Sequence, residues 1–427
     1  MDRQSPSKNN ERRILLSGVF TLILVMGLAR FSYTPMLSYM KTEAGVGEAL
    51  GGWLAGWNYL GYLTGVILIP FIHSPRMRET IFGASLLLAA FSTGMMGLTE
   101  NPAIWSFARL LAGISTACGF ILASGLMLNW LRKTNQKPEL GLMYSGLGLG
   151  IALGAVLVEL SGLYLSWAGQ WLFLGAAGLL FAIPAWVWRP NPSRLTLRWA
   201  KQQPSNTPAQ KGEIINPASK PETSENKTEA SETKGSDPVK PGRTWFFLLQ
   251  LAYLFSGCAF VVYATFIVII IEAEPALENL SVWVWALLGL VAAPSTFIFD
   301  QITRRVGFLR ALALAFALKA VALLLVVVSS SMFAAIASAV LFGLTFVSIV
   351  SLAMNLAGQR FPENPAHYMA ILTLSYGVAQ VIGPILSGNF AEANGSFSTP
   401  LLICTGLLML GIICLETMKQ MQNRLER

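Results

Sequence analysis

The chain has 427 residues, of which 54% are hydrophobic and only 12% are charged, and its mean hydropathy is +0.56. Because soluble globular domains carry about 25% charged residues, this composition excludes a soluble protein and indicates a polytopic membrane protein. The formal net charge is +8, but the basic residues match membrane topology and lipid headgroups, so no nucleic-acid partner is expected.

A hydropathy window of about 19 residues predicts twelve membrane spans. The boundary between the ninth and tenth spans is the least distinct, since only Ser330 and Ser331 separate them. The first span is too long for the apolar region of a signal peptide and lacks a small-residue cleavage site, so we expect it to remain in the membrane. The spans lie near residues 14–39, 50–72, 80–98, 103–131, 139–163, 168–188, 244–271, 279–299, 308–329, 332–357, 366–391 and 398–418.

The distribution of Lys and Arg predicts the topology, because cytoplasmic loops retain these residues and translocated loops do not. Of the 30 Lys and Arg, 26 lie in the tails or in the loops on one side, and only Lys41 lies in a loop on the other side. Both termini are therefore predicted to be cytoplasmic, which requires an even number of spans. The other three, Arg30, Arg109 and Lys319, lie inside predicted spans.

Arg30 interrupts the otherwise apolar first span. A fixed charge within a membrane costs at least a few kcal/mol and faces a protein interior or a water-filled cavity. An intramembrane arginine therefore predicts a route or a binding site, most simply for an anion.

The run 190–243 is rich in Pro, Ser, Thr, Glu and Lys and has almost no large apolar residues after Trp199, so it is predicted to be a disordered cytoplasmic linker. It divides the chain into an N-terminal six-helix half, 1–189, and a C-terminal six-helix half, 244–427. A faint repeat relates the halves at a constant offset and places Phe260 where the first half has Arg30. The matching pairs are Arg13 with Arg243, Gly27 with Gly257, Ala29 with Ala259 and Tyr33 with Tyr263.

Several local motifs occur on the expected spans of a known transporter family. Span four contains Arg109-Leu-Leu-Ala-Gly113, and span eleven contains Gly383-Pro384-Ile-Leu-Ser-Gly388. The loop after span eight holds acidic, basic and glycine residues, namely Asp300, Arg304, Arg305 and Gly307. With the six-plus-six pattern, these motifs resemble the major facilitator superfamily, and the absence of sugar-porter signatures indicates a poorly characterised bacterial branch.

The resemblance implies an all-α membrane protein of twelve transmembrane helices that works by rocking of two halves around a midplane site. It also implies a gating role for the loop after span eight. The corresponding loop of the first half, 70–78, lacks the expected aspartate and glycine. The latch on the cytoplasmic side is therefore expected to be lopsided.

The predicted substrate site centres on two arginines. At 1.5 Å per residue, Arg30 lies roughly 12 Å and Arg109 roughly 10 Å below the outer ends of their spans, so the two guanidiniums are level. In the superfamily, spans one, four, seven and ten line the cavity, and two level guanidiniums would clamp a carboxylate. The alternative is that Arg109 ties spans together by binding backbone carbonyls, as it does in relatives. Further binding candidates are Tyr33, Asn58, Tyr62, Tyr263, Asn355, Tyr376 and Gln380.

Proton coupling requires an ionisable group in the membrane. Glu159, near the outer end of span five, is the candidate, because it is the one carboxylate clearly inside a predicted span. The alternatives for Glu159 are an interfacial position or an ion pair with Arg30 or Arg109. Lys319 lies in span nine without an evident role.

No motif supports an enzyme, an ATP-driven pump, a cofactor or a metal site. The four cysteines lie in predicted spans without CxxC spacing, namely Cys118, Cys258, Cys404 and Cys414.

The predicted function is secondary, proton-linked transport of a small organic anion such as a monocarboxylate, by a monomer in the bacterial cytoplasmic (inner) membrane. Two alternatives stay open. One is efflux of amphipathic drugs or metabolites. The other is a non-transporting membrane sensor that uses the linker to contact a partner.

Overall fold

A computed structural model describes residues 8–134, 140–190 and 242–425 of the chain. Within these ranges, twelve helices are long and apolar enough to cross a membrane, which confirms the predicted number. They are α1 (Glu11–Ala44), α2 (Glu48–Phe71), α3 (Pro75–Leu98), α4 (Pro102–Leu131), α5 (Gly141–Gly162), α6 (Trp167–Val187), α7 (Arg243–Glu272), α8 (Glu278–Val306), α9 (Phe308–Val328), α10 (Met332–Arg360), α11 (His367–Asn394) and α12 (Ser398–Arg424).

The least distinct sequence boundary is confirmed. Helix α9 ends at Val328 and α10 begins at Met332. The Ser331 hydroxyl accepts a hydrogen bond of 3.2 Å from the Ala334 N–H and caps the start of α10. The serines therefore separate α9 from α10, because the side-chain oxygen of Ser331 caps the first turn of α10.

We call α1–α6 the N-terminal half and α7–α12 the C-terminal half. The loops that follow the odd-numbered helices share one face, predicted to be extracytoplasmic, which we call the outer face. The predicted linker, 190–243, lies outside the described residues except for its ends. Its role stays a prediction.

Three glycines of α5 form the surface on which α1 packs. The closest approach is so tight that a Cβ on Gly27 would lie 2.5 Å from the Gly150 backbone. Small residues at such a spacing let membrane helices approach closely. The contacts are Gly146 with Val19, Gly150 with Gly27 and Gly154 with Ser32.

The two halves meet along two helix pairs, α2 with α11 and α5 with α8. A Cβ on Gly52 of α2 would lie 2.2 Å from the Pro384 carbonyl oxygen of α11. On the other side, a Cβ on Gly148 of α5 would lie 2.5 Å from the Ala293 nitrogen of α8. The first contact lies between the outer face and the membrane middle, and the second lies near the membrane middle. The contact between α2 and α11 therefore closes the described structure towards the outer face.

Helices α1 and α7 cross at the axis that relates the two halves. Thr34 and Ala264 are 230 residues apart, the offset of the sequence repeat, and the Thr34 hydroxyl donates a hydrogen bond of 2.6 Å to the Ala264 carbonyl. Equivalent residues of two repeats touch each other only near their common axis. The contact therefore agrees with a duplicated half.

Two carboxylates of the C-terminal half bind the N-terminal half at the outer face. The Ser38 hydroxyl donates a hydrogen bond to Glu272. The Ala49 N–H, at the start of α2, donates a hydrogen bond of 2.7 Å to Glu392, where a negative charge is favoured by the helix dipole. These bonds close the outer face with groups that water can replace when the halves separate.

The predicted gating loop lies at the opposite face, between α8 and α9. Gly307 has a φ of +85°, which a residue with a side chain adopts only with strain. The charged members of the loop, Asp300, Arg304 and Arg305, are exposed. With the outer face closed, a latch on this face stays a prediction for the opposite conformation.

The contact between Gly52 and Pro384 yields a prediction. Replacement of Gly52 by valine leaves no space for the new side chain while Pro384 is opposite, so we expect the outer face to open. Overpacking costs about 1–3 kcal/mol, so alkylation of a Thr34→Cys reporter should accelerate roughly tenfold in detergent-solubilised protein. The control is Gly94→Ala, where the nearest atom to the new Cβ would be 3.8 Å away. An unchanged alkylation rate in Gly52→Val would contradict the closed outer face.

Candidate functional site

The middle of α1 is a π-helix from Ile23 to Phe31. Its end shows the wider hydrogen-bond spacing, because the Ser32 N–H donates to the Gly27 carbonyl at 2.9 Å. Shortly afterwards Pro35 has no N–H to donate to the preceding turn. Such π-helical segments occur mostly at functional sites, and this one carries Arg30.

Side chains of α4 satisfy the carbonyls of this segment. Arg109 donates from Nη1 to the Ala29 carbonyl at 3.1 Å and from Nη2 to the Arg30 carbonyl at 3.5 Å. The Thr116 hydroxyl donates to the Val25 carbonyl at 2.8 Å. The Arg109 guanidinium also lies over the Tyr33 ring, 4.2 Å from its centroid. Arg109 therefore lies level with Arg30, but its donors serve the α1 backbone.

Two further candidates also hold the helices together. The Asn58 amide donates a hydrogen bond of 3.1 Å to the Arg109 carbonyl. The Tyr33 hydroxyl donates one of 2.7 Å to the Gly51 carbonyl. Both residues connect α2 to its neighbours, and the Asn58 side-chain oxygen is buried without a hydrogen-bond partner among the described residues.

Arg30 lies between two tyrosine rings of α2. Its guanidinium carbon is 4.5 Å from the Tyr59 ring centroid and 4.4 Å from the Tyr62 ring centroid, which is cation–π geometry. Arg30 is only 5% exposed, and its Nε has no hydrogen-bond partner among the described residues. Sequence reasoning missed Tyr59, although its spacing of three residues from Tyr62 puts both rings on one helix face.

The C-terminal half faces Arg30 with Tyr376 of α11. The Tyr376 phenol interacts electrostatically with Arg30 and Tyr59, and its ring stacks on Tyr253 of α7 with centroids 4.5 Å apart. Its hydroxyl is buried and has no hydrogen-bond partner among the described residues. Gln380, one turn further along α11, is also buried. The structure thus places unpaired polar atoms of both halves near Arg30.

A phenylalanine group borders this polar region. Phe31, next to Arg30, is 6.4 Å from Phe260 of α7 and 5.8 Å from Phe346 of α10 between ring centroids. Phe260 and Phe346 stack with their planes 2° apart and their centroids 4.6 Å apart. The C-terminal half therefore offers an apolar wall at the position where the repeat replaces Arg30 by Phe260.

Two candidates lie away from Arg30. Tyr263 hydrogen-bonds to Ser338 at 2.7 Å and stacks on Phe342 inside the C-terminal half. Asn355 is exposed, and its amide donates at 3.4 Å to Ser351 of its own helix. Asn355 lies nine residues beyond Phe346 along α10, roughly 13 Å towards the predicted cytoplasmic face. Asn355 therefore lies away from Arg30 in the described structure, and its part in substrate binding stays a prediction.

Glu159 lies near the outer end of α5. Its carboxyl hydrogen-bonds with Tyr39 of α1 and interacts electrostatically with Glu272 of α7. Among the described residues, no carboxylate forms an ion pair with Arg30 or Arg109. The alternative that Glu159 neutralises one of these arginines is therefore wrong.

Comparison with known proteins gives one family. The sequence model of the family described as "Uncharacterised MFS-type transporter YbfB" matches residues 22–214 and 218–416. A hexuronate transporter of Bacillus subtilis (strain 168) is 24% identical over 353 residues, which cover 77% of this chain and 76% of that protein.

Solved structures of similar shape are also transporters. A mutant of the nucleoside transporter NupG superposes with a TM-score of 0.72 at 12% identity, covering 95% of this chain and 99% of the other. A second NupG structure gives 0.69 at 13% identity, with coverages of 96% and 99%. At such low identity, these structures show the shared fold alone.

The bonds from Arg109 to α1 predict that this residue is needed for stability. Replacement of Arg109 by methionine keeps much of the volume but removes the side-chain donors to the carbonyls of Ala29 and Arg30. An unsatisfied buried group costs about 1–3 kcal/mol, so we expect a lower melting temperature in detergent. The matched variant is Arg30→Met, whose guanidinium serves no backbone carbonyl and whose melting temperature should change less. Equal melting temperatures for Arg109→Met and the parent chain would contradict the assignment.

Proposed function

The chain belongs to the family of YbfB-like transporters in the major facilitator superfamily (MFS), and we propose that it carries a small organic anion bound by Arg30. Its family and relatives are transporters of small solutes rather than enzymes. The anion, the proton coupling, a monomeric state and a place in the bacterial inner membrane are parts of the proposal.

The uncompensated charge of Arg30 supports the proposal most directly. Burial of a cation without a carboxylate partner costs several kcal/mol, because the lost hydration of the charge is not replaced. A carboxylate ligand would supply the missing charge and accept hydrogen bonds from the guanidinium fork. The rings of Tyr59 and Tyr62 cover part of the guanidinium, and its Nε has no partner in the described part of the chain. Arg30 is therefore able to bind an anion that approaches from the interface between the halves.

The hexuronate transporter relative suggests the chemical class. Hexuronates are sugar acids with one carboxylate, and they combine the charge that Arg30 requires with hydroxyl groups. The hydroxyl of Tyr376 and the amide of Gln380 are polar groups that such hydroxyls bind. We therefore use D-glucuronate as the probe.

The other candidates take supporting roles in this proposal. Arg109, Tyr33 and Asn58 position Arg30 by fixing α1 against α2 and α4. Tyr263 stabilises the packing of the C-terminal half.

Alternating access would open the outer face by separating α2 from α11 and α5 from α8. The loop with Asp300, Arg304, Arg305 and Gly307 would close the predicted cytoplasmic face in that conformation. This rocking of two halves around a midplane site is the general scheme for inverted-repeat transporters.

Removal of the Arg30 charge should abolish ligand binding. At about 100 times its Kd, a ligand stabilises the folded state by about 2.7 kcal/mol, so D-glucuronate should raise the melting temperature of the parent chain by several degrees. The rise should vanish in Arg30→Ala and persist in Arg310→Ala, which removes an exposed arginine of α9. A rise that persists in Arg30→Ala would overturn the site. Stabilisation by lipophilic cations in place of carboxylates would favour efflux of amphipathic drugs.

The unpaired hydroxyl of Tyr376 yields a second test. Tyr376→Phe keeps the ring stacked on Tyr253 and removes only the hydroxyl. A hydrogen bond between neutral groups contributes about 0.5–1.5 kcal/mol, so the apparent Kd for D-glucuronate should increase about two- to tenfold. An unchanged Kd would remove Tyr376 from the binding site and leave it a packing residue.

A further inference from the structure

Lys319 lies at the middle of α9, eleven residues after Phe308 and nine before Val328. Its side chain is fully enclosed by protein, with an exposure of 0%. The amine nitrogen lies 3.4 Å from the Ser256 hydroxyl of α7 and 5.3 Å from the ring centroid of Phe342 of α10. These are two weak partners for an ammonium group in a membrane interior.

No carboxylate of the neighbouring helices reaches this depth. Helices α9 and α10 contain no Asp or Glu, and those of α7, α8 and α12 lie towards the helix ends. A buried ammonium without a counter-ion costs several kcal/mol, and intramembrane ionisable residues mark ion pathways. The titratable groups that the described parts of the packed helices offer in the interior are the uncharged Tyr253, Cys258 and Tyr263 of α7 and Cys404 and Cys414 of α12.

Ser256 and Phe342, the two residues that Lys319 contacts, both lie next to residues of the site around Arg30. Ser256 lies on α7 three residues after Tyr253, which stacks on Tyr376. Phe342 lies 6.3 Å from Phe260 between ring centroids. A change of charge at Lys319 therefore acts on the face of α7 that borders the proposed substrate.

The other intramembrane groups are less suited to exchange a proton. Arginine keeps its proton in proteins, which removes Arg30 and Arg109. Glu159 lies near the outer end of α5 with Tyr39, away from the membrane middle.

We propose that Lys319 carries the coupled proton of the transport cycle, an inference that rests on the proposed proton-linked transport. In the enclosed arrangement the neutral amine meets the Ser256 hydroxyl. When the halves move and water reaches this pocket, the amine accepts one proton from water. As the pocket closes again, the ammonium gives this proton to the last water that leaves the pocket, on the side that is then open, and no other bond changes.

The experiment uses the purified chain in proteoliposomes with labelled D-glucuronate. Counterflow exchange without a gradient measures binding and alternating access, whereas accumulation driven by a pH gradient measures coupling. The variants are Lys319→Met, which has no proton to exchange, and Lys319→Arg, which keeps the charge. The controls are Arg310→Met on the same helix and Glu159→Gln.

We expect both Lys319 variants to retain counterflow and to lose accumulation above equilibration, while both controls keep both activities. Accumulation that persists in Lys319→Met would overturn the inference, as would its loss in Glu159→Gln alone. Loss of counterflow as well in both folded Lys319 variants would assign Lys319 a structural role and overturn it too. Absence of counterflow in the parent chain would instead count against the choice of substrate in the proposed function.

If the parent chain shows no counterflow, a measurement without substrate tests the inference about Lys319. The alkylation rate of the Thr34→Cys reporter follows the opening of the outer face. From about pH 6 to about pH 9, a range that includes the values of about 7–8 to which burial tunes lysines, the rate should change in the reporter protein. The change should disappear when Lys319→Met is added and persist when Glu159→Gln is added. A pH response that survives Lys319→Met would overturn the inference.

Discussion

The bonds from α4 to the carbonyls of α1 around its π-helix are the constraint on which the site depends. Inside a membrane every backbone polar group needs an internal partner. Pro35 withholds one N–H, and the π-helix before it shifts its carbonyls away from the ordinary donors. Arg109 and Thr116 of α4 supply donors in their place. Since these bonds fix α4 against α1, they also fix the backbone of Arg30, whose side chain is directed at the tyrosines of α2.

The two arginines differ in what they bind, although they share one depth. Arg109 donates to carbonyls of its own protein, so its charge is dispersed over fixed dipoles and the Tyr33 ring. Arg30 has ring faces beside it and an Nε without a partner. The backbone carbonyls that Arg109 binds are part of the protein itself, whereas the ring faces beside Arg30 leave the guanidinium able to bind a ligand as well. A clamp of two equal arginines is therefore a weaker interpretation than one binding arginine and one positioning arginine.

Sequence patterns predicted those features of the fold that depend on hydropathy and charge alone. The number of spans, the break before Met332 and the common depth of the arginines follow from apolar length and from 1.5 Å per residue. The patterns did not predict the π-helix or the position of Tyr59 beside Arg30, because both depend on how α1, α2 and α4 pack. The distance of Asn355 from Arg30 could not be predicted for a related reason, since membership in a lining span says neither how deep a side chain lies nor which face it occupies.

Electroneutrality connects Arg30 of the N-terminal half with Lys319 of the C-terminal half. An organic anion alone would move against a negative-inside potential at a cost of about 2.3 kcal/mol per 100 mV, whereas an anion with one proton carries no net charge. Arg30 of the N-terminal half suits the anion, and Lys319 of the C-terminal half suits the proton. Phe260 joins the two, because it packs on Phe31 beside Arg30 and on Phe342 beside Lys319. The repeat places Phe260 at the position that corresponds to Arg30, and its ring is an apolar contact between the surroundings of Arg30 and those of Lys319.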